Sequence, residues 1–247
     1  MRISELIKCI FSKQKIGNKR VLRIFGMQFS YTKKEKNTLC TKQEWQISAQ
    51  KNLEQFKESS MVANLSENSL CIDCGANIGS VTGVIASTGA IVHAFEPHPL
   101  AFAVLKNKFA NKKNVILHQQ AVLDKVDTLQ LFMYNVKDDD PLFWSQGASL
   151  YKGKNNVCAA ESVTVQVIDL IEFIYSLGRD IDILKLDIEG GEYDVLIKLI
   201  KTGLYKKITH ILVETHDRKI PEVAHKGDML RRMIKDNSIT NIDLGWV

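Results

Sequence analysis

Residues 70–97 read LCIDCGANIGSVTGVIASTGAIVHAFEP. An apolar run, Leu70 to Ile72, ends on Asp73 and enters a tight turn holding Gly75, Asn77 and Gly79. A helix of small apolar residues follows, and a second apolar run ends on Glu96. Strand, turn, helix and strand in this order make a nucleotide-binding unit. The turn brings backbone close to a ligand, and an acid about twenty residues on is placed for ribose hydroxyls.

The turn separates the nucleotide classes. A dinucleotide site wants G-x-G-x-x-G; counting from Gly75, the second and third glycine positions hold Asn77 and Ser80. A phosphate-binding P-loop would end in Gly-Lys-Ser/Thr, and this turn does not. What stands is D-x-G-x-N-x-G, and Asn is the side chain that best tolerates a left-handed backbone. This motif, followed by Phe95-Glu96-Pro97, resembles the first motif and acidic loop of S-adenosylmethionine-dependent methyltransferases. A nicotinamide oxidoreductase shares the placement of Glu96 but lacks support at the glycines. A cofactor-fold scaffold without catalysis would have no need of the acids described below.

The 247 residues, 45% of them hydrophobic, suffice for one substantial core with an N-terminal extension. No apolar run approaches the roughly 20 residues of a membrane span, and no continuous apolar signal stretch opens the chain. Five cysteines, an odd number, argue for reduced thiols and a cytoplasmic protein. Cys71 and Cys74 form a C-x-x-C that reads as strand packing rather than zinc or redox chemistry. Residues 1–37 hold ten Lys/Arg against two Glu, so the rest of the chain, at a total of +5, sums to −3. A mildly acidic body argues against a nucleic-acid partner, as does DIEGG where a nucleic-acid methylase would carry an N/D-P-P-Y/F segment.

Ile3, Leu6, Ile7, Ile10 and Phe11 form one helical stripe followed by lysines. Such a helix packs on the protein's own body, pairs two subunits, or lies on the inner membrane face. Two short strands bent at Gly26 (residues 21–32) and a helix at 41–58 complete an extension over residues 1–60. From Leu70 strands and helices alternate: strands 70–73, 91–95, 115–118, 182–187 and 209–214, helices 79–87, 98–109, 169–177, 191–201 and 225–236. Residues 128–167 read as irregular β structure, and the terminal SITNIDLGWV supplies one last strand. This is an α/β, Rossmann-like, open and mostly parallel sheet with helices on both faces, spanning residues 61–247.

Ligands of such sheets sit at the carboxyl ends of the strands. There DILKLDIEGGE places Lys185, Asp187 and Glu189 on one side of the strand, and ILVETHD delivers Glu214 and His216. Charges so placed are expensive to bury unless paired. The series IDCGANIGS, AFEPHP, QGASL, VIDLIEF, DILKLDIEGGEYDVL and ILVETH, over residues 68–216, resembles the FkbM-type methyltransferases. That resemblance implies a class I methyltransferase fold, S-adenosylmethionine, and methylation of a hydroxyl on a sugar, a surface polysaccharide or another natural product. Asp73, Gly75, Asn77, Gly79, Glu96 and Pro97 are then assigned to the cofactor, with Gln120 and Ala121 beside its adenine. Asp187 is the first candidate for the base and His216 the second, with Lys185 and Glu189 holding the geometry. Trp144, Gln146, Ser149 and Glu214 face the acceptor. Carboxylates at Asp187, Glu189 and Glu214 would suit Mg²⁺, but no metal is assigned.

Overall fold

The computed structural model describes residues 42–135 and 140–246, with the backbone of residues 14–16, 19–24 and 27–32. The helical stripe expected at residues 3–11 lies outside them. The chain divides into two units, Met1–Ser59 with Val247, and Ser60–Trp246. In the first unit β1 (Gln14–Ile16), β2 (Lys19–Ile24) and β3 (Met27–Thr32) form an antiparallel meander. Helix α1 (Lys42–Lys57) carries an acid in its first turn and a lysine in its last, matching the helix dipole.

The second unit starts with a single turn, α2 (Ser60–Ala63), and proceeds through β4 (Leu70–Cys74), α3 (Ser80–Ser87), β5 (Ile91–Phe95), α4 (Pro99–Lys108) and β6 (Val115–His118). Next come β7 (Ala121–Leu123), β8 (Asp127–Tyr134), the short α5 (Pro141–Trp144) and β9 (Val157–Asp169). It closes with α6 (Leu170–Leu177), β10 (Ile181–Leu186), α7 (Glu192–Thr202), β11 (Ile208–Val213), α8 (Ala224–Asp236) and β12 (Ile242–Asp243). Six strands form one parallel sheet in the order β12-β11-β10-β4-β5-β6. The order turns around at β4 and β10, which places the switch point between them.

A parallel sheet is covered on both faces, so its strands are apolar throughout rather than alternating. All five residues of β4 are buried. One face packs Leu70, Ile72, Leu184 and Leu186 against α6, α7 and α8 in the main core. The other carries Ala94 against Leu105 and Phe109 of α4 and its end. Cys71 and Cys74 are both fully buried in β4, and burial pushes the Cys71 thiol up to about 12, which makes it a packing residue.

The stretch expected as irregular β structure holds two strands, with a shift of register between Phe132 and Tyr134. Strands β8 and β9 pair antiparallel, β7 joins β9 in parallel, and the three form a second sheet with its own small core. Its outer face is exposed and polar, so β9 alternates where the central strands do not. The loop between β8 and β9 carries Trp144 to Ser149.

Candidate active site

Three of the turn's residues have positive φ: Gly75 at 79°, Asn77 at 48° and Gly79 at 76°. At Gly75 a Cβ would lie 1.8 Å from the carbonyl oxygen of Asp187, so only glycine lets β4 and the end of β10 approach this closely. At Gly79 a Cβ would strike Leu105 and Phe109, so that glycine serves helix packing. Asn77 donates its backbone N–H to Glu96 Oε2 at 2.7 Å and its amide to Ser145 Oγ at 3.0 Å. Asp73 lies beneath the turn, fully buried, where its Oδ2 accepts from Thr82 Oγ1 at 2.6 Å.

Glu96 closes the turn from the neighbouring strand. Its Oε1 accepts the His98 N–H at 2.7 Å, and the His98 side chain in turn caps α4. Burial outweighs these two bonds and pushes the Glu96 carboxyl up to about 7. Two backbone donors use only part of a carboxylate's acceptor capacity, and the rest is available to hydroxyls.

At the end of β10, Lys185 stands in register with Asp73 of β4. Its ammonium donates to the Gly75 carbonyl at 2.6 Å and lies 3.4 Å from Asp73 Oδ1 and 3.3 Å from Asp187 Oδ2. Burial works against its charge, but Asp187 and Asp73 outweigh burial and hold the group above the usual lysine range. Glu189 has φ of 55°, left-handed for a residue that is not glycine. That conformation is held by Ser149 Oγ donating to its carbonyl at 2.7 Å and by Lys154 Nζ 2.6 Å from Oε2.

His216 is fully buried, with Nε2 3.0 Å from Glu189 Oε2 and Nδ1 2.8 Å from Glu192 Oε1. Burial disfavours its charge, yet the two carboxylates prevail and raise its pKa well above the ordinary value. The Glu214 carboxyl is raised as well, by burial and by the charge of Asp187.

A cleft of about 600 Å³, counting the solvent at its open mouth, lies at these strand ends. Gly75, Asn77, Glu96, Pro97, Gln120 and Ala121 line one part of it. Gln146, Ser149, Asp187 and Glu189 line another. Asp73, Gly79, Lys185, Glu214 and His216 stand outside this lining, as supports beneath or beside it. Trp144 is also outside the lining and stacks on Tyr134 with ring centroids 4.7 Å apart.

Four residues of the site carried no assignment from the sequence. Lys154 sits in a polar KGKNN stretch with no periodicity to mark it, yet it is buried and also donates to the Gly147 carbonyl at 2.6 Å. Glu192 reads as an ordinary acid in a helix's first turn. It is fully buried and accepts from the backbone N–H groups of Ile188 and Gly190 at 3.0 and 2.9 Å. The Tyr193 hydroxyl accepts the N–H groups of His216 and Asp217 at 2.8 and 2.6 Å. Lys219 is a further cation, whose ammonium burial pushes down to about 8.

Residues 73–238, about two thirds of the chain, match the methyltransferase FkbM domain. No curated protein matches. Among solved structures, the crystal structure of P. horikoshii TYW2 in complex with MeSAdo is similar at 15% identity, with a TM-score of 0.25. The match covers 44% of this chain and 38% of that one, and at that score the likeness carries no weight. No described helix is long and apolar enough to cross a membrane. The domain match covers the turn, both acidic strand ends and the loop between β8 and β9, and the chain belongs to the FkbM family of S-adenosylmethionine-dependent methyltransferases.

Proposed function

We propose that the chain methylates a hydroxyl oxygen of a sugar, free or within a glycan, or of another natural product. The observation that carries this is one cleft lined together by Glu96, by Gly75 and Asn77 of the turn, and by Asp187 at the end of β10. In it Glu96 would receive the ribose hydroxyls of S-adenosylmethionine, the turn would face its methionine part, and Gln120 and Ala121 its adenine. Bound there, the cofactor supplies an electrophilic methyl group. The chain's own task is to hold the acceptor oxygen in line with that methyl.

A sugar hydroxyl is a weak nucleophile, and a positioned base contributes on the order of 10²- to 10⁴-fold. Asp187 is the proposed base: it lines the cleft, its side chain is 26% exposed, and Lys185 fixes its orientation. Gln146 and Ser149, which line the same cleft, would read the acceptor's hydroxyls. Trp144 would act through the Tyr134 stack that shapes the loop. The excess of basic residues in residues 1–37 supports work beside membrane-bound glycan assembly, at the inner membrane face.

The test is a methyl-donor assay against nucleotide sugars and lipid-linked glycans, read by mass spectrometry. A gain of one methyl group on a hydroxyl is expected. Transfer only to nitrogen or sulfur acceptors would refute O-methylation.

A further inference from the structure

We propose that Asp187, Glu214 and His216, with Glu189 at their side, form a binding site for one divalent cation at the carboxyl ends of β10 and β11. One ligand atom from each of the first three lies within 4.8 Å of the other two. His216 Nε2 stands 3.8 Å from Asp187 Oδ1, 3.8 Å from Glu214 Oε1 and 3.0 Å from Glu189 Oε2. Two atoms each about 2.1 Å from one cation lie about 3.0 Å apart at a right angle and about 3.4 Å apart at the tetrahedral angle. The two 3.8 Å spacings from His216 close to these values with about half an ångström of inward movement, and the Asp187–Glu214 pair lies within 4.8 Å.

Two features distinguish this set from an ordinary group of acids. The first is the support behind the histidine. Its Nδ1 faces Glu192, a fully buried carboxylate that two backbone N–H groups hold in place. A carboxylate on Nδ1 fixes the imidazole tautomer and aims Nε2 as a ligand, the arrangement found behind metal-bound histidines. The second is Glu214. Its side chain is only 15% exposed, and among the described residues its carboxylate accepts no hydrogen bond, with His216 Nε2 3.8 Å from Oε1. Its carboxylate is therefore left with acceptor capacity for a cation.

Asp187 divides its oxygens in the same sense, with Oδ2 toward Lys185 and Oδ1 toward the cluster. The mixed imidazole and carboxylate set suits a first-row divalent ion such as Mn²⁺ or Zn²⁺. Its role in catalysis rests on the O-methylation reading above. With Asp187 and Glu189 lining the cleft, an open side of the ion would meet the acceptor oxygen, and a Lewis acid there eases its deprotonation.

The test titrates the purified full chain with Mn²⁺ and follows the electron paramagnetic resonance of the free ion, with circular dichroism confirming that each variant is folded. One Mn²⁺ per chain is expected, with Kd on the order of 10 μM. Glu214→Gln and Asp187→Asn should each weaken uptake at least tenfold, whereas S-adenosylmethionine affinity in Glu214→Gln, read by calorimetry, should stay within about threefold. No saturable uptake by the unsubstituted chain, or equal uptake by both folded variants, would overturn the site. Mn²⁺ uptake without S-adenosylmethionine binding would sustain the cation site and sink the methyl-transfer reading; the reverse result would sink the cation site alone.

Discussion

Gly75 is where two constraints meet in one residue. Its φ of 79° is strained for any side chain, and a Cβ would overlap the Asp187 carbonyl. Gly75→Ala should cost about 2–4 kcal/mol in urea unfolding and displace Asp187, lowering turnover as well. Asp187→Asn removes the proposed base at little steric cost. It should lower kcat at least about 10²-fold while the cofactor's Kd stays within a few-fold; unchanged turnover would remove Asp187 from that role. Glu96 adds a pH dependence. Its folded carboxyl, near 7, keeps a proton that the unfolded chain, near 4.5, has released. The folded state therefore loses stability as pH rises from about 4.5 through 7, by on the order of 3 kcal/mol. Glu96→Gln should flatten that part of the stability curve. Hydroxyl donors favour the ionised form, so S-adenosylmethionine should bind more tightly at pH 8 than at pH 6.

Among the elements, β10 with the loop that follows it organises the site. Its lysine reaches under the β4 turn, the aspartate that follows it lines the cleft, and Glu189 and Glu192 hold the two nitrogens of His216 from β11's end. Tyr193 ties α7 to that end, because its hydroxyl accepts two backbone N–H groups. Tyr193→Phe leaves both donors without that acceptor and should cost about 2–4 kcal/mol, measured by urea unfolding. The parallel strands were legible in the sequence because burial on both faces makes them uninterrupted apolar runs, as in Ile211 to Val213. The acids at their ends were legible because charge breaking such a run has few cheap explanations. Lys154 and Glu192 were not legible, since their partners are fixed by tertiary approach and not by spacing. The single imidazole of His216 suggested a base, but that its two nitrogens face Glu189 and Glu192 is set by tertiary approach and could not be read from spacing. Residues 128–167 were legible as β structure, but the bounds of β8 and β9 and their antiparallel register were not, because cross-strand partners far apart in sequence leave no mark in local spacing.

For the whole molecule, charge is divided along the chain. Residues 1–37 are strongly basic and the remainder is mildly acidic. If the extension serves an anionic surface, the chain should float with anionic vesicles at low salt, and deletion of residues 1–20 should abolish flotation. Equal flotation of both forms would discard that role. The central claim, that the cleft beside Gly75, Glu96 and Asp187 holds S-adenosylmethionine, is independent of the extension. Calorimetric titration of the full chain with S-adenosylmethionine, and in parallel with NADH, tests it most directly. The expected result is one S-adenosylmethionine per chain, binding at least tenfold weaker in a folded Glu96→Ala variant, with no heat from NADH. Absence of S-adenosylmethionine binding, or equal binding by the Glu96→Ala variant, would contradict it.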